Sequence, residues 1–159
     1  MKPFIVFLAL VLVFSAGFCY MGDMARYRAA DEALKAAAIE CSAEAALSWD
    51  EEAYGEGRLV FDRGEASKIG EALLGSYLAG QRNVEIKSAG FALAGDDDSG
   101  EWRICSPGFP AGKIPVRPDR PGKNSVKAWL YVETEDIFAL PFLSVTALCR
   151  AGEYRYEER

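Results

Sequence analysis

The chain has no histidine. That removes the commonest general base, the usual partner of a catalytic serine or cysteine, and the commonest zinc ligand. Its four cysteines, Cys19, Cys41, Cys105 and Cys149, include no pair at CxxC spacing, so zinc and thioredoxin-like readings fail. The net charge is −6 and no basic stripe stands out, which argues against nucleic acid as a partner. Gly112-Lys113 lacks the spacing and the hydroxyl of a phosphate-binding loop, and no small-molecule substrate is implied. Proline is absent between Pro3 and Pro107, and charge is absent from Pro3 to Gly22.

That last absence organises the rest. Pro3–Gly22 reads PFIVFLALVLVFSAGFCYMG. As a helix rising about 1.5 Å per residue it spans about 30 Å, the hydrocarbon thickness of a bilayer. Two fates fit. A cleaved signal has Lys2, then Phe4–Phe14, then a cut after Ser15-Ala16-Gly17. An uncleaved anchor is favoured by the next stretch of chain. After Asp23 comes MARYRAADEALKAAAIECSAEAALSWDEEAY, dense in Ala, Leu, Glu and Lys, so one helix can run unbroken from about Phe4 to about Trp49. The basic residues Arg26, Arg28 and Lys35 behind the apolar run point that side inward. The minimal N-terminal tail and the cysteine and strand content point it outward. The expectation is a single-pass protein of the cytoplasmic membrane with an extracytoplasmic C-terminal domain; the alternative is secretion after cleavage.

Within the Ala-rich helix, Tyr27, Ala30, Leu34, Ala37, Cys41, Ala45 and Trp49 share one face. That face packs on the chain's own sheet or, in part, on other subunits, which makes Tyr27 and Leu34 candidate interaction residues. Arg58–Phe61 is a short extended run. Asp62 and Glu65 have the spacing of a capping box before a second helix, about Gly64 to Ala79, with Ala66, Ile69, Leu73 and Tyr77 on one side. Asn83–Ser88, continued by Phe91 and Leu93, reads as a strand. Asp96-Asp97-Asp98-Ser99-Gly100 invites a calcium reading, but the EF-hand spacing and its closing Glu are missing, so a solvated hairpin turn into Trp102–Cys105 is expected.

Ser106–Lys123 holds five of the seven prolines together with Lys113, Arg117, Arg120 and Lys123, the composition of an irregular, polyproline-like loop. Ser125–Glu133 alternates Val126, Ala128, Leu130 and Val132 with Lys127, Trp129, Tyr131 and Glu133. The aliphatic face belongs to the core, and the aromatic face covers the sheet or forms a contact surface. An apolar connection through Pro141 leads to a last strand, Ser144–Tyr156, with Val145, Ala147, Cys149 and Ala151 on one side and Trp129 and Tyr131 expected near its other residues. One register brings Cys149 opposite Cys105, a possible disulfide in an exported domain.

The fold class is α+β: a long N-terminal helix, a second helix and an antiparallel sheet of about four strands. Residues 1–22 are the anchor or signal, 23–57 the Ala-rich helix continuing it, and 58–159 an extracytoplasmic domain with the Pro-rich loop 106–123. The layout resembles TadE-like and pilin-like proteins of the tight-adherence (Flp-type) pilus systems. The matching pieces are Phe4–Phe18, Tyr27–Trp49, and the strands Val126–Glu133 and Val145–Tyr156 around Phe138-Ala139-Leu140-Pro141-Phe142. The resemblance implies an envelope-bound assembly or adhesion role with other pilus or envelope subunits as partners, and no catalysis. The alternative function is a secreted or single-pass binding domain acting through the Pro-rich loop and the Trp129/Tyr131 face. An enzyme using Asp96–Asp98 or Glu51-Glu52 is the weakest reading, because no nucleophile–base pair is visible. No catalytic residue, cofactor or metal ligand is assigned.

Overall fold

The computed structural model of the chain describes residues 2–81, 84–110, 121–138 and 144–156. The order is α1 (Lys2–Leu47), α2 (Glu51–Gly55), α3 (Arg63–Gly80), β1 (Ile86–Asp97), β2 (Gly100–Cys105), β3 (Ser125–Thr134) and β4 (Ala147–Arg155). The α+β expectation holds. α1 runs unbroken through Gly17 and Gly22, as the proline-free composition predicts.

The sheet order is β2-β1-β3-β4, every neighbouring pair antiparallel. The second half of α1 lies over β3 and β4, and α3 lies beside it over β1. Between helices and sheet sits the main core. Ala30, Leu34, Ala38, Cys41 and Ala45 of α1 meet Val126, Ala128, Leu130 and Val132 of β3 and Leu148 of β4. Small side chains on α1 bring its backbone close to the sheet. Gly152 completes the fit, since a Cβ there would lie 2.4 Å from the Ala38 carbonyl oxygen. Two tyrosines tie the layers by donating to α1 carbonyls: Tyr77 to Ala30 at 3.3 Å and Tyr156 to Ala46 at 3.0 Å.

The parity of β1 has a physical explanation. Ile86 and the pair Phe91 and Leu93 have opposite parity, yet all pack into one core. The register against β3 shifts between Ile86 and Ser88, a bulge that places Lys87 as the extra residue and switches the phase. On β4 the expected arrangement is reversed. Tyr131 pairs with Cys149 and Trp129 with Ala151, so the aromatics share a face with the small residues of β4 rather than with its other side. This second face carries its own cluster of Ala92, Ala94, Phe109, Trp129 and Tyr131. The chain leaving β2 crosses it where Gly108 lies on Gly90, an approach that a Cβ on either residue would block.

The capping box at α3 is half formed. Asp62 accepts from the Gly64 and Glu65 N–H groups at 2.8 and 3.1 Å. Its own N–H goes to the Ser48 carbonyl and Glu65 pairs instead with Lys68. The Asp cluster is a structural pin. Asp96 and Asp97 end β1, and only Asp98 and Ser99 form the turn. Buried Asp97 accepts from the Phe61 N–H at 3.0 Å and from both the N–H and the hydroxyl of Ser99. Asp98 accepts from the Leu59 N–H at 2.8 Å. The Arg58–Phe61 run is thus held against the β1–β2 turn.

Candidate functional site

From Phe4 to Met21 the large apolar side chains of α1 are exposed. Phe4, Ile5, Val6 and Phe7 are consecutive, and at about 100° per residue they cover every direction around the axis. The most apolar 18-residue window has a mean hydropathy of 2.5 and none of it is buried. Singly exposed apolar residues are ordinary, but a continuous apolar cylinder is not. The Ser15 hydroxyl donates to the Val11 carbonyl at 2.8 Å, which satisfies the one hydroxyl between Phe4 and Phe18 within the helix. The helix is long and apolar enough to cross a membrane. The apolar run ends at Asp23, which is 2% exposed and ion-paired with Arg26 one turn on.

Beyond Asp23 the surroundings of α1 change within one turn. Leu34 is 0% exposed and sits in the chain's own core, which removes it as a free interaction residue. Tyr27 is half-buried, its ring 6.1 Å from that of Phe138. Trp129 and Tyr131 are each 3% exposed, so they are second-face core rather than an open contact surface. Phe109 stands edge-on to Tyr131 at 6.1 Å, and the Lys127 ammonium lies 5.6 Å from the Trp129 ring. Residues 111–120, with most of the Pro-rich loop, and 139–143, with Pro141, lie outside the described residues.

The Cys105–Cys149 disulfide is excluded by the sheet order. Cys105 is on β2 and Cys149 on β4, the two opposite edges. Two strands separate them, so at about 4.8 Å per step they are about 14 Å apart across the sheet, twice what a disulfide spans. None of the four cysteines is in a disulfide. Cys41 is buried on α1, and loss of hydration pushes its thiol up to about 12, aided by Glu44. Burial likewise pushes Tyr77 up to about 12, with Asp31 adding repulsion. These groups stay protonated at neutral pH and behave as core. Asp136 is held below the usual carboxylate range by the N–H groups of Val145 and Phe138, an acceptor of backbone bonds in a turn. Among the described residues no three His, Cys, Asp or Glu side chains gather as metal ligands.

At the opposite end of the domain is an open pocket of about 630 Å³ that sequence reasoning missed. It lies just past Leu47, about 38 Å along the α1 axis from Gly22. Trp49, Tyr54 and Tyr156 line it with Arg58, Leu59, Asp98 and Asn124. The rings form a row: Tyr54 stacks on Trp49 at 5.4 Å, Trp49 meets Tyr156 edge-on at 6.3 Å, and Tyr156 meets Tyr154 edge-on at 5.5 Å. Tyr54 is 59% exposed on α2, the short helix capped by Asp50. An isolated bridge between Trp49 and Phe61 seats the row on the core. Arg58 is exposed and paired with Glu56 at 2.5 Å.

No family model, curated protein or solved structure matches this chain, so its function has to be read from the geometry.

Proposed function

We propose that the chain is a non-enzymatic subunit held in the cytoplasmic membrane by residues 4–22, with its α+β domain outside the cytoplasm, serving as a pilin-like or pilus-assembly component in adhesion. The observation that carries this reading is the continuity of α1: one helix is an apolar cylinder in its first half and a strut of the domain core in its second. A cleaved signal needs no such continuity. An anchor that is also core fixes the domain rigidly to the bilayer, because the helix cannot leave the membrane without carrying the sheet with it. That rigidity suits a subunit that bears load within an assembly. The resemblance to TadE-like proteins supplies the kind of assembly.

The test is deletion of residues 4–22 in the native host. The expected result is a folded, soluble domain, loss of surface appendages and loss of attachment. Unchanged appendages in that deletion overturn the assembly reading. Recovery of a native protein whose N-terminus begins after Gly17 overturns the anchor.

A further inference from the structure

We infer that the open pocket at the distal end of the domain binds a neutral saccharide chain, with pyranose rings laid on Trp49, Tyr54 and Tyr156 and ring hydroxyls bonded by Arg58 and Asp98. The inference rests on the pocket alone and is independent of the assembly reading. Its walls come together from distant parts of the chain: Trp49 after α1, Tyr54 on α2, Arg58 just beyond, Asp98 in the β1–β2 turn and Tyr156 after β4. Each wall is fixed to the domain. The Tyr156 hydroxyl donates to the Ala46 carbonyl at 3.0 Å, and its N–H donates to the Asn124 carbonyl at 2.9 Å. Asp98 accepts from the Leu59 N–H at 2.8 Å, and Trp49 bridges to Phe61. The site is therefore formed before a ligand arrives, and binding requires little ordering of the chain.

The lining selects the class of ligand. Its volume of about 630 Å³ falls within the about 300–1,000 Å³ usual for small-molecule sites. Tyr54 lies nearly parallel to Trp49, with 21° between the planes, so the two rings offer broad flat faces to an apolar surface. The two charged residues in the lining are Arg58 and Asp98, one of each sign. Lys123 precedes Asn124, and Arg155 lies on Gly122, where a Cβ would come 2.7 Å from its guanidinium. Both signs recur around them: Arg155 approaches Glu153 at 3.6 Å, Arg58 pairs with Glu56, and α2 brings Glu51 and Glu52. Neither a polyanion nor a polycation is drawn in by such a mixture. The lining does offer a guanidinium that only donates beside a carboxylate that only accepts. Neighbouring hydroxyls, each both donor and acceptor, satisfy the two together. A pyranose has C–H groups on its face for the rings and hydroxyls on its edge for the charged pair. A hydrocarbon chain lacks the hydroxyl edge, and a phosphate lacks the apolar face. Because the pocket is open, further sugar units can run on into solvent.

The test uses the full chain in phosphatidylcholine nanodiscs, with cellohexaose and chitohexaose as neutral probes and hexagalacturonate as a charged one. Trp49 is half-exposed whereas Trp102 and Trp129 are buried, so Trp fluorescence reports on the pocket. At least one neutral probe is expected to bind saturably at millimolar concentration, and hexagalacturonate to bind more weakly. Tyr54→Ala, at an exposed ring, weakens binding about tenfold with the melting temperature unchanged, and Tyr54→Phe restores it. Arg58→Ala, at an exposed side chain, also weakens binding while the domain stays folded. Absence of saturable binding by both neutral probes, or binding indifferent to Tyr54→Ala, overturns the site. Binding indifferent to Arg58→Ala, or tighter for hexagalacturonate than for the neutral probes, overturns the neutral saccharide as its ligand. All of these outcomes leave the anchor reading untouched.

Discussion

The two halves of α1 are one helix with two kinds of surface. Before Asp23 the side chains are large, apolar and exposed on all sides; after it the inward ones are small and buried, and much of the outward face is charged. Both are continuous α-helix of similar length. What differs is where apolar surface can go. In the second half an Ala-lined stripe lets a sheet approach closely enough to bury Leu34 and Cys41 completely. In the first half no other part of the described chain covers the cylinder, which is long and apolar enough to cross a membrane, and the anchor proposed above places it in lipid. Helix continuity is therefore not by itself a sign of one environment, and the boundary is set by side-chain size and charge at Asp23, Arg26 and Arg28.

The comparison breaks most severely by charging the first half. Leu10→Asp with Val11→Asp costs about 2.5–3.5 kcal/mol of insertion for each central carboxylate. The protein moves to the soluble fraction while the melting temperature of the domain stays the same. Truncating the second half does the converse. Leu34→Ala removes a fully buried side chain and lowers unfolding stability by about 2–5 kcal/mol, read from the denaturant midpoint, with membrane association retained. Gly152→Val forces α1 off β4 at the Ala38 carbonyl and costs about 1–3 kcal/mol by the same measurement.

Alkaline titration sharpens the contrast further. Cys41 and Tyr77 have folded values near 12, above their ordinary values of 9.0 and 10.0. The folded state therefore holds these protons more tightly, and the stability they contribute is complete below pH 9 and is lost as pH rises from about 9 to about 12. Melting curves across that window show the loss in the domain. Cys41→Ala removes the part that begins near pH 9. The smallest effect belongs to the ion pair between Arg150 of β4 and Asp31 of α1, 2.5 Å apart and partly exposed. Asp31→Asn lowers stability by about 0.2–1 kcal/mol, and added salt masks the difference.

Much of the fold was legible in the sequence because its signals are local. The proline-free stretch announced α1, the alternation in Ser125–Glu133 announced β3, and Asp62 announced the start of α3. The errors came from relations between distant residues. Cys105 and Cys149 sit on similar strands, and only the order β2-β1-β3-β4 shows that they occupy opposite edges. For Trp129 and Tyr131 the choice between covering the sheet and forming a contact surface stayed open, because nothing near them in sequence indicates that Phe109 packs against Tyr131. The three aspartates looked like a plain turn, whereas Asp97 and Asp98 reach back to pin Phe61 and Leu59. The aromatic row was invisible for the same reason. Trp49 and Tyr54 join Tyr154 and Tyr156 only after β4 has closed the sheet alongside α1.

The central claim is that the first half of α1 lies in lipid while the second half does not. Spin labels placed singly at Leu12→Cys and Glu44→Cys, with Cys19, Cys105 and Cys149 replaced by serine and Cys41 shielded in the core, test it in phosphatidylcholine vesicles. The account predicts that oxygen relaxes the label at position 12 more than a water-soluble nickel chelate does, and that the order reverses at position 44. An aqueous pattern at both positions contradicts it.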